Sequence, residues 1–374
     1  MAQTNRISTA LTAAFFFAAF FAGSISFAVK PMSKTDVFVS GTDGYHTYRI
    51  PAVIVTKKGS LLAFCEGRKT SRSDHGDLDL VLRRSTDNGK TWMPMQIVYE
   101  EGGDAKITIG NPCPVVDQET GRIWLPFCRN NDGVLVTFSD DEGMTWAKPR
   151  EITDSVKEPG WGWYATGPGV GIQLTRGKHN GRLVIPCDHR IESDGKRITY
   201  SHAIYSDDHG ETWKLGGTVD QHTNECQVVE LKDGTLMMNM RNYWGRDGKQ
   251  QDNDKMRAVA LSRDGGQTWQ ELRFDETLIE PICQASFLRY STKGDILLFS
   301  NPASKTTRHR LTVRLSNDGG KTWPIAKLLH EGPSAYSCLV VLPDGSIGCL
   351  YEGGQNNAYE KIVFARFPRA SLDR

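Results

Sequence analysis

The octapeptide Ser85-Thr86-Asp87-Asn88-Gly89-Lys90-Thr91-Trp92 returns four more times in this 374-residue chain, starting at Ser139, Ser206, Ser262 and Ser316. Five matches to S-x-D-x-G-x-T-W make an internal repeat, and no other feature restricts the fold as strongly. Aspartate at the third position can accept hydrogen bonds from N–H groups of its own turn, and glycine at the fifth can take the positive φ that the turn needs. Threonine then starts a strand, and tryptophan supplies an apolar plate expected to pin the hairpin to its own sheet. The motif therefore reads as a structural clasp lying away from any chemistry. The spacings of 54, 67, 56 and 54 residues between successive serines suit a sheet of four strands per repeat, as in a β-propeller blade.

Three strand-like runs follow the last motif, at 336–342, 346–351 and 361–367, and have no motif of their own. They read as a sixth blade lacking one strand, which residues 37–39 would supply to close the ring. The expectation is an all-β, six-bladed β-propeller with four antiparallel strands per blade. Short strands alternate with turn signals such as Lys58-Gly59, Asp233-Gly234, Lys293-Gly294-Asp295 and Asp344-Gly345, and no amphipathic helical stretch interrupts them.

Residues 1–28 read as a separate secretory leader: Arg6 supplies positive charge, residues 11–22 are apolar, and Ser26-Phe27-Ala28 is a small-x-small cleavage pattern. Residues 29–374 are then one exported domain, periplasmic or secreted and not inserted in a membrane. The net charge of +1 gives no general attraction to nucleic acid or acidic membranes. The eight cysteines are an even number that permits disulfides. Most lie in apolar strand-like runs, such as 61–65 and 348–351, so mostly buried free thiols are expected. No CxxC or histidine-rich spacing suggests zinc; neither a metal nor a cofactor is expected. Two polar insertions, 66–79 and 243–256, break the strand rhythm and are the loops expected to carry function.

Arg49 in Tyr48-Arg49-Ile50-Pro51 stands at a strand start that would bring it near the propeller axis. Arg241 and Arg308 occupy comparable strand contexts, Arg308 with Arg310 and Arg314 close by. Three guanidiniums converging from separate blades would clamp a carboxylate, because each offers a fixed donor fork. Taken singly, each arginine reads first as a surface ion pair.

With the repeats (Asp boxes), Tyr48-Arg49-Ile50-Pro51, Ser73-Asp74-His75-Gly76-Asp77, Asn224-Glu225-Cys226-Gln227 before Arg241, and Ala335-Tyr336-Ser337-Cys338-Leu339 in order, the chain resembles the exo-α-sialidases (neuraminidases) of bacterial and animal cellular type, from about residue 37 to 367. The resemblance implies that Arg49, Arg241 and Arg308 grip the C1 carboxylate of sialic acid and that Glu352 orients Arg49. It implies further that Asp74 is the acid/base, Tyr336 the nucleophile and Glu225 its general base. Arg68 resembles the arginine that contacts O4 of the sugar. Asn111 stands where other members use an aspartate on the same side. A neutral tyrosine avoids the repulsion that an anionic nucleophile would meet from a carboxylate on the anomeric carbon. The aromatic stretch 161–167 would line the glycerol or leaving-group side, or else pack between blades. The implied partners are sialylated glycoproteins, gangliosides and sialyl-oligosaccharides, bound by a monomer. Transfer or intramolecular transfer at the same site, a non-catalytic sialic-acid-binding propeller and a different Asp-box enzyme, such as an endo-glycanase, remain as alternatives. The non-catalytic reading requires loss of Asp74, Glu225 or Tyr336, and all three are present.

Overall fold

A computed structural model of the protein describes residues 1–3, 31–103, 105–193, 195–244, 255–291, 293 and 295–373. Residues 4–28 of the expected leader, Gly294 of one turn signal and most of the 243–256 insertion lie outside them. Among the described residues the only α-helix is the four-residue Thr153–Val156; apart from two three-residue 3-10 helices, Gly177–His179 and Arg369–Ser371, the rest is strand, turn and loop.

Each repeat closes the same turn. In the first copy Asp87 Oδ1 accepts from the N–H groups of Lys90 and Thr91 at 3.0 Å each, Asp87 Oδ2 accepts from Thr91 Oγ1 at 2.7 Å, and Ser85 Oγ accepts from the Gly89 N–H at 2.9 Å. Asp141, Asp208, Asp264 and Asp318 repeat the pattern of bonds to the following threonine. The glycine serves two needs. Gly89 has φ +78°, and a Cβ there would lie 2.2 Å from Phe364; at Gly210, with φ +92°, it would lie 2.2 Å from Trp124.

Those contacts correct the expected role of the tryptophan in three of the five copies. Trp92 packs edge-on against Phe364, Trp146 against Phe64 and Trp213 against Trp124, each partner belonging to the neighbouring sheet. In these copies the plate joins one sheet to the next because the turn itself lies over that neighbour. Trp323 instead meets Phe287 and Phe299 of its own seven-stranded sheet, as expected, with ring centroids 6.2 and 5.9 Å away.

The sheets are arranged like propeller blades, with the innermost strands Thr47–Val55, Val115–Val116, Ile172–Gln173, Thr223–Glu230, Ser286–Ser291 and the latter part of Ile325–Val341 following one another about an axis. The expected count of six separate blades is corrected. Four sheets stand alone, while the strands expected as the fifth and sixth blades form one seven-stranded sheet. The physical reason is the 17-residue strand Ile325–Val341, which pairs with His309–Ser316 along its first part and with Ile347–Gly353 along its second, without a break between. As expected, the segment containing 37–39 closes the structure: Ser33–Val39 pairs antiparallel with Lys361–Phe367.

Apolar side chains from adjoining sheets fill the spaces between them, as where Ala52, Leu62, Phe64 and Leu80 meet Ile123, Leu125 and Phe127. All eight cysteines are buried and free, several of them within these layers. The motif turns and the candidate site occupy opposite ends. Strand Leu78–Ser85 leaves the Asp74 loop at Leu78 and reaches the motif seven residues later, roughly 23 Å away at ~3.3 Å per residue.

Candidate active site

At the end of the axis away from the motif turns lies a cavity of about 560 Å³, lined by Arg49, Asp74, Glu225, Arg241, Arg308 and Tyr336, among others. Six of the nine residues singled out in the sequence therefore share one wall system. Arg68, Asn111 and Glu352 stand behind it.

Arg49 sits where strand Thr47–Val55 slips register against Leu61–Arg68, between Arg49 and Ala52. The slip forces Ile50 to φ +62°, a conformation that a β-branched residue rarely adopts. The buried carboxylate of Glu352 holds this strained point: Oε1 accepts from Arg49 Nε at 2.7 Å and from the Ile50 N–H at 2.9 Å. Its other oxygen accepts from the Tyr336 N–H at 3.0 Å, so one carboxylate positions both the arginine and the tyrosine. Local strain kept where the surroundings over-determine it is characteristic of functional sites. Ile282 shows the same strain at φ +56°, and its carbonyl accepts from Arg308 Nη2 at 3.0 Å.

Arg308 also donates to the hydroxyl of Tyr359 at 3.1 Å and lies 5.7 Å from the centre of the Tyr336 ring. Arg310 instead pairs with Glu331 at the surface, and Arg314 pairs across to Ala326 in the sheet, so neither belongs to the cavity. Arg241 Nη1 donates to Glu225 Oε2 at 2.6 Å and to Tyr336 Oη at 3.2 Å. Behind it the fully buried pair Arg257–Glu280, at 2.6 Å, accepts the Asn242 N–H, fixing the residue that follows Arg241.

The Tyr336 hydroxyl donates to Glu225 Oε1 in a very short contact. Burial and the neighbouring Glu225 carboxylate push the phenol well above its ordinary range, against the pull of Arg241, Arg308 and Arg49. At neutral pH it is therefore protonated, with its proton aimed at a carboxylate. Asp74 differs. Its side chain is 62% exposed, with Arg68 Nη1 at 2.8 Å and Arg49 Nη1 at 3.8 Å. Partial desolvation opposes these cations, but they prevail and hold its carboxyl below the usual range. Arg68 is itself held by buried Glu66, which also accepts the Asn111 N–H at 2.9 Å, and burial raises the Glu66 carboxyl despite Arg68. Asn111 thus enters as a backbone support for Glu66.

Sequence reasoning missed Asp188, Asn224, Thr199, Tyr243 and Tyr359 in the lining. Asp188 is fully buried; Oδ2 accepts from Asn224 Nδ2 at 2.7 Å, and Oδ1 has no partner. Desolvation and nearby Glu225 push its carboxyl well above the usual range. An acid directly after the apolar run 183–187 was the available signal. The stretch 161–167 divides: Trp161 stacks on His189 at 3.4 Å and Tyr164 is buried between sheets, whereas Trp163 lines the cavity.

The family model described as a BNR repeat-like domain matches residues 59–349. A sialidase of Micromonospora viridifaciens is 37% identical over 359 residues, which is 89% of this chain and 54% of that protein. Sialidase-2 of Mus musculus is 31% identical over 368 residues, covering 87% of this chain and 93% of the mouse protein. Among solved structures, the Hadza microbial sialidase Hz136 superposes with a TM-score of 0.80 at 33% identity, over 91% of this chain and 69% of that one. The chain thus spans about half the length of its Micromonospora relative.

Proposed function

The chain belongs to the sialidase family, and from that premise we propose that it is an exo-α-sialidase, a glycoside hydrolase that releases terminal α-linked sialic acid from glycoproteins, glycolipids and oligosaccharides with retention of configuration. The observation that carries the reading is the Tyr336–Glu225 hydrogen bond set beneath three convergent arginines. Arg49, Arg241 and Arg308 take the substrate carboxylate, which brings the anomeric carbon over Tyr336 Oη. Glu225 removes the phenolic proton as the oxygen attacks, and Arg241 stabilises the developing phenolate. Arg68 holds Asp74 from behind the cavity wall, on the side that the resemblance assigns to O4 of the sugar, and the Asn111 backbone supports Glu66 there.

Asp74 protonates the departing glycosidic oxygen and then activates water. Partial burial already opposes the low resting pKa that Arg68 and, after it, Arg49 impose, and binding works in the same direction. The substrate carboxylate partly neutralises Arg49, and the sugar adds to the desolvation of the carboxyl, while Arg68 stays in place. The Arg6, 11–22 and Ser26–Ala28 pattern supports export of the chain from the cytoplasm.

The reading is tested with a 3-fluoro-sialyl fluoride, which should leave a trapped sugar on Tyr336, located by peptide mass spectrometry. A label on Asp74 or Glu225 overturns the mechanism. NMR of the sugar first released from sialyllactose isomers should show the α-anomer; an anhydro product would assign intramolecular transfer instead.

A further inference from the structure

We propose that the outer part of the hairpin formed by Leu183–Ser193 and Lys196–Ser206 is a leaving-group subsite for an anionic sugar, most simply a second sialyl residue. The proposal rests on the sialidase reading only for the side on which the leaving group departs.

The hairpin is unusually long. Its strands have eleven residues each, where the corresponding Leu61–Arg68 and Leu78–Ser85 have eight. The register Asp188↔Ser201, Arg190↔Thr199, Glu192↔Arg197 places these six side chains on one face by simple alternation. That face runs outward from buried Asp188 to Arg197, whose side chain is 70% exposed. A second hollow of about 390 Å³ adjoins the main cavity and shares Trp163, Arg190 and Arg197 with it. His75, next to Asp74, closes the hollow and meets the Trp163 ring edge-on at 5.7 Å. The hollow therefore begins beside the carboxyl that protonates the leaving oxygen.

Its charge is not balanced. Arg190 Nε is buried without a hydrogen-bond partner, and its anion, Glu192, is 3.7 Å away. Glu192 is held more closely by Arg197, at 3.1 Å, and Asp132 in the same hollow is already paired with Lys157. Two guanidiniums thus share one half-exposed carboxylate, and that of Arg190 lies 5.9 Å from the centre of the Trp163 ring. An aromatic face for a sugar ring with guanidiniums beside it suits a sugar bearing a carboxylate or a sulfate.

Calorimetric titration into the Tyr336→Phe protein, which lacks the proposed nucleophile, compares sialyl-α2,8-sialyllactose with sialyllactose. The disialyl compound should bind about tenfold more tightly, the scale of one charge-assisted hydrogen bond. The advantage should shrink with salt. It should also be lost in Arg190→Gln/Arg197→Gln on that background and widen in Glu192→Gln, with thermal melts confirming that each variant is folded. An advantage seen with a sulfated sialyllactose but not with the disialyl compound assigns the same subsite to sulfated sugars. Equal affinity for all three sugars, or an advantage untouched by the arginine changes, overturns the proposal. Hydrolysis of a 4-methylumbelliferyl sialoside by the wild type tests the sialidase reading separately, and its failure would leave the titration result standing.

Discussion

The carboxylates at the two ends of this molecule face opposite demands. Each motif aspartate finds its partners within four residues, at the surface, in a turn that closes on itself. Against slight desolvation, bonds from Thr91 and its neighbours hold Asp87 down to about 2, and Asp141 is held at about 2 in the same way. At the cavity end Arg68 still serves Glu66 and Asp74 from nearby, but the pairs that assemble the site are remote: Glu352 meets Arg49 across 303 positions and Glu225 meets Tyr336 across 111. There burial competes with pairing, and it pushes Glu66 and Asp188 upward. A local carboxylate turn can form wherever its octapeptide occurs, whereas the cavity exists only once the first and last strands have closed the structure.

The largest test of that contrast is Glu352→Ala. The substitution strands the guanidinium of Arg49, a residue only 6% exposed, and leaves the Ile50 and Tyr336 N–H groups without their acceptor. Breaking a buried pair by removing one partner costs about 3–5 kcal/mol. Denaturant unfolding should show that loss together with collapse of activity. A loss under about 1 kcal/mol would mean that Glu352 is not what holds the strained Arg49–Ile50 segment.

Tyr336→Phe comes next and separates chemistry from closure. The ring stays packed with Ile50, Cys283 and Ala335 while one oxygen is removed. A fall in kcat of at least ~10²-fold is expected, taking the usual proton-transfer contribution as the lower scale. The melting temperature should hold, and substrate should still bind through the three arginines. Activity within threefold of wild type would remove Tyr336 from the nucleophile's role.

How far the sequence revealed these regions follows from the same contrast. The motif turns were readable because every partner lies inside the octapeptide. Their inter-sheet contacts were not, since nothing near Trp92 announces Phe364. In the cavity, Asp74, Glu225 and Tyr336 were reached through ordered resemblance, and Arg308 was chosen over Arg310 and Arg314 by its distance before the last motif, a choice for which the chain itself offers no physical reason until Arg308 is seen against Tyr359 and Ile282. Asp188 and Tyr359 escaped because each becomes a wall residue through contacts made across sheets, to Asn224 and to Arg49. The fusion of the last two strand groups was equally hidden, because it depends on hydrogen bonding that continues through 325–341.

Asp188→Asn probes the cost of the cavity's remote carboxylates. Asp188 is raised in the folded protein by burial and by Glu225, so it binds its proton more tightly folded than unfolded. Its contribution to stability is thus greatest below the ordinary carboxylate range and falls as pH rises towards the folded value. Asparagine keeps an acceptor for Asn224 Nδ2 and has no charge to desolvate. The variant should gain stability relative to wild type as pH is raised from 4 to 8, read as a widening difference in Tm. A difference that is flat with pH would show that Asp188 is not titrating anomalously.

The smallest effect belongs to the local end, and its pH dependence has the opposite sign. Asp87→Asn retains one carbonyl oxygen for the Lys90 and Thr91 N–H groups, but an amide nitrogen replaces the oxygen that accepts from Thr91 Oγ1. One exposed hydrogen bond lost is worth about 1 kcal/mol or less. Because the folded pKa is depressed to about 2, this carboxylate stabilises the turn fully above the ordinary value near ~4 and loses that contribution as pH falls towards 2. The Tm gap between wild type and variant should therefore be constant from pH 5 to 8 and close between pH 4 and 2, whereas the Asp188→Asn gap opens only as pH rises. If both gaps moved in the same direction with pH, the division between locally paired and remotely paired carboxylates would fail.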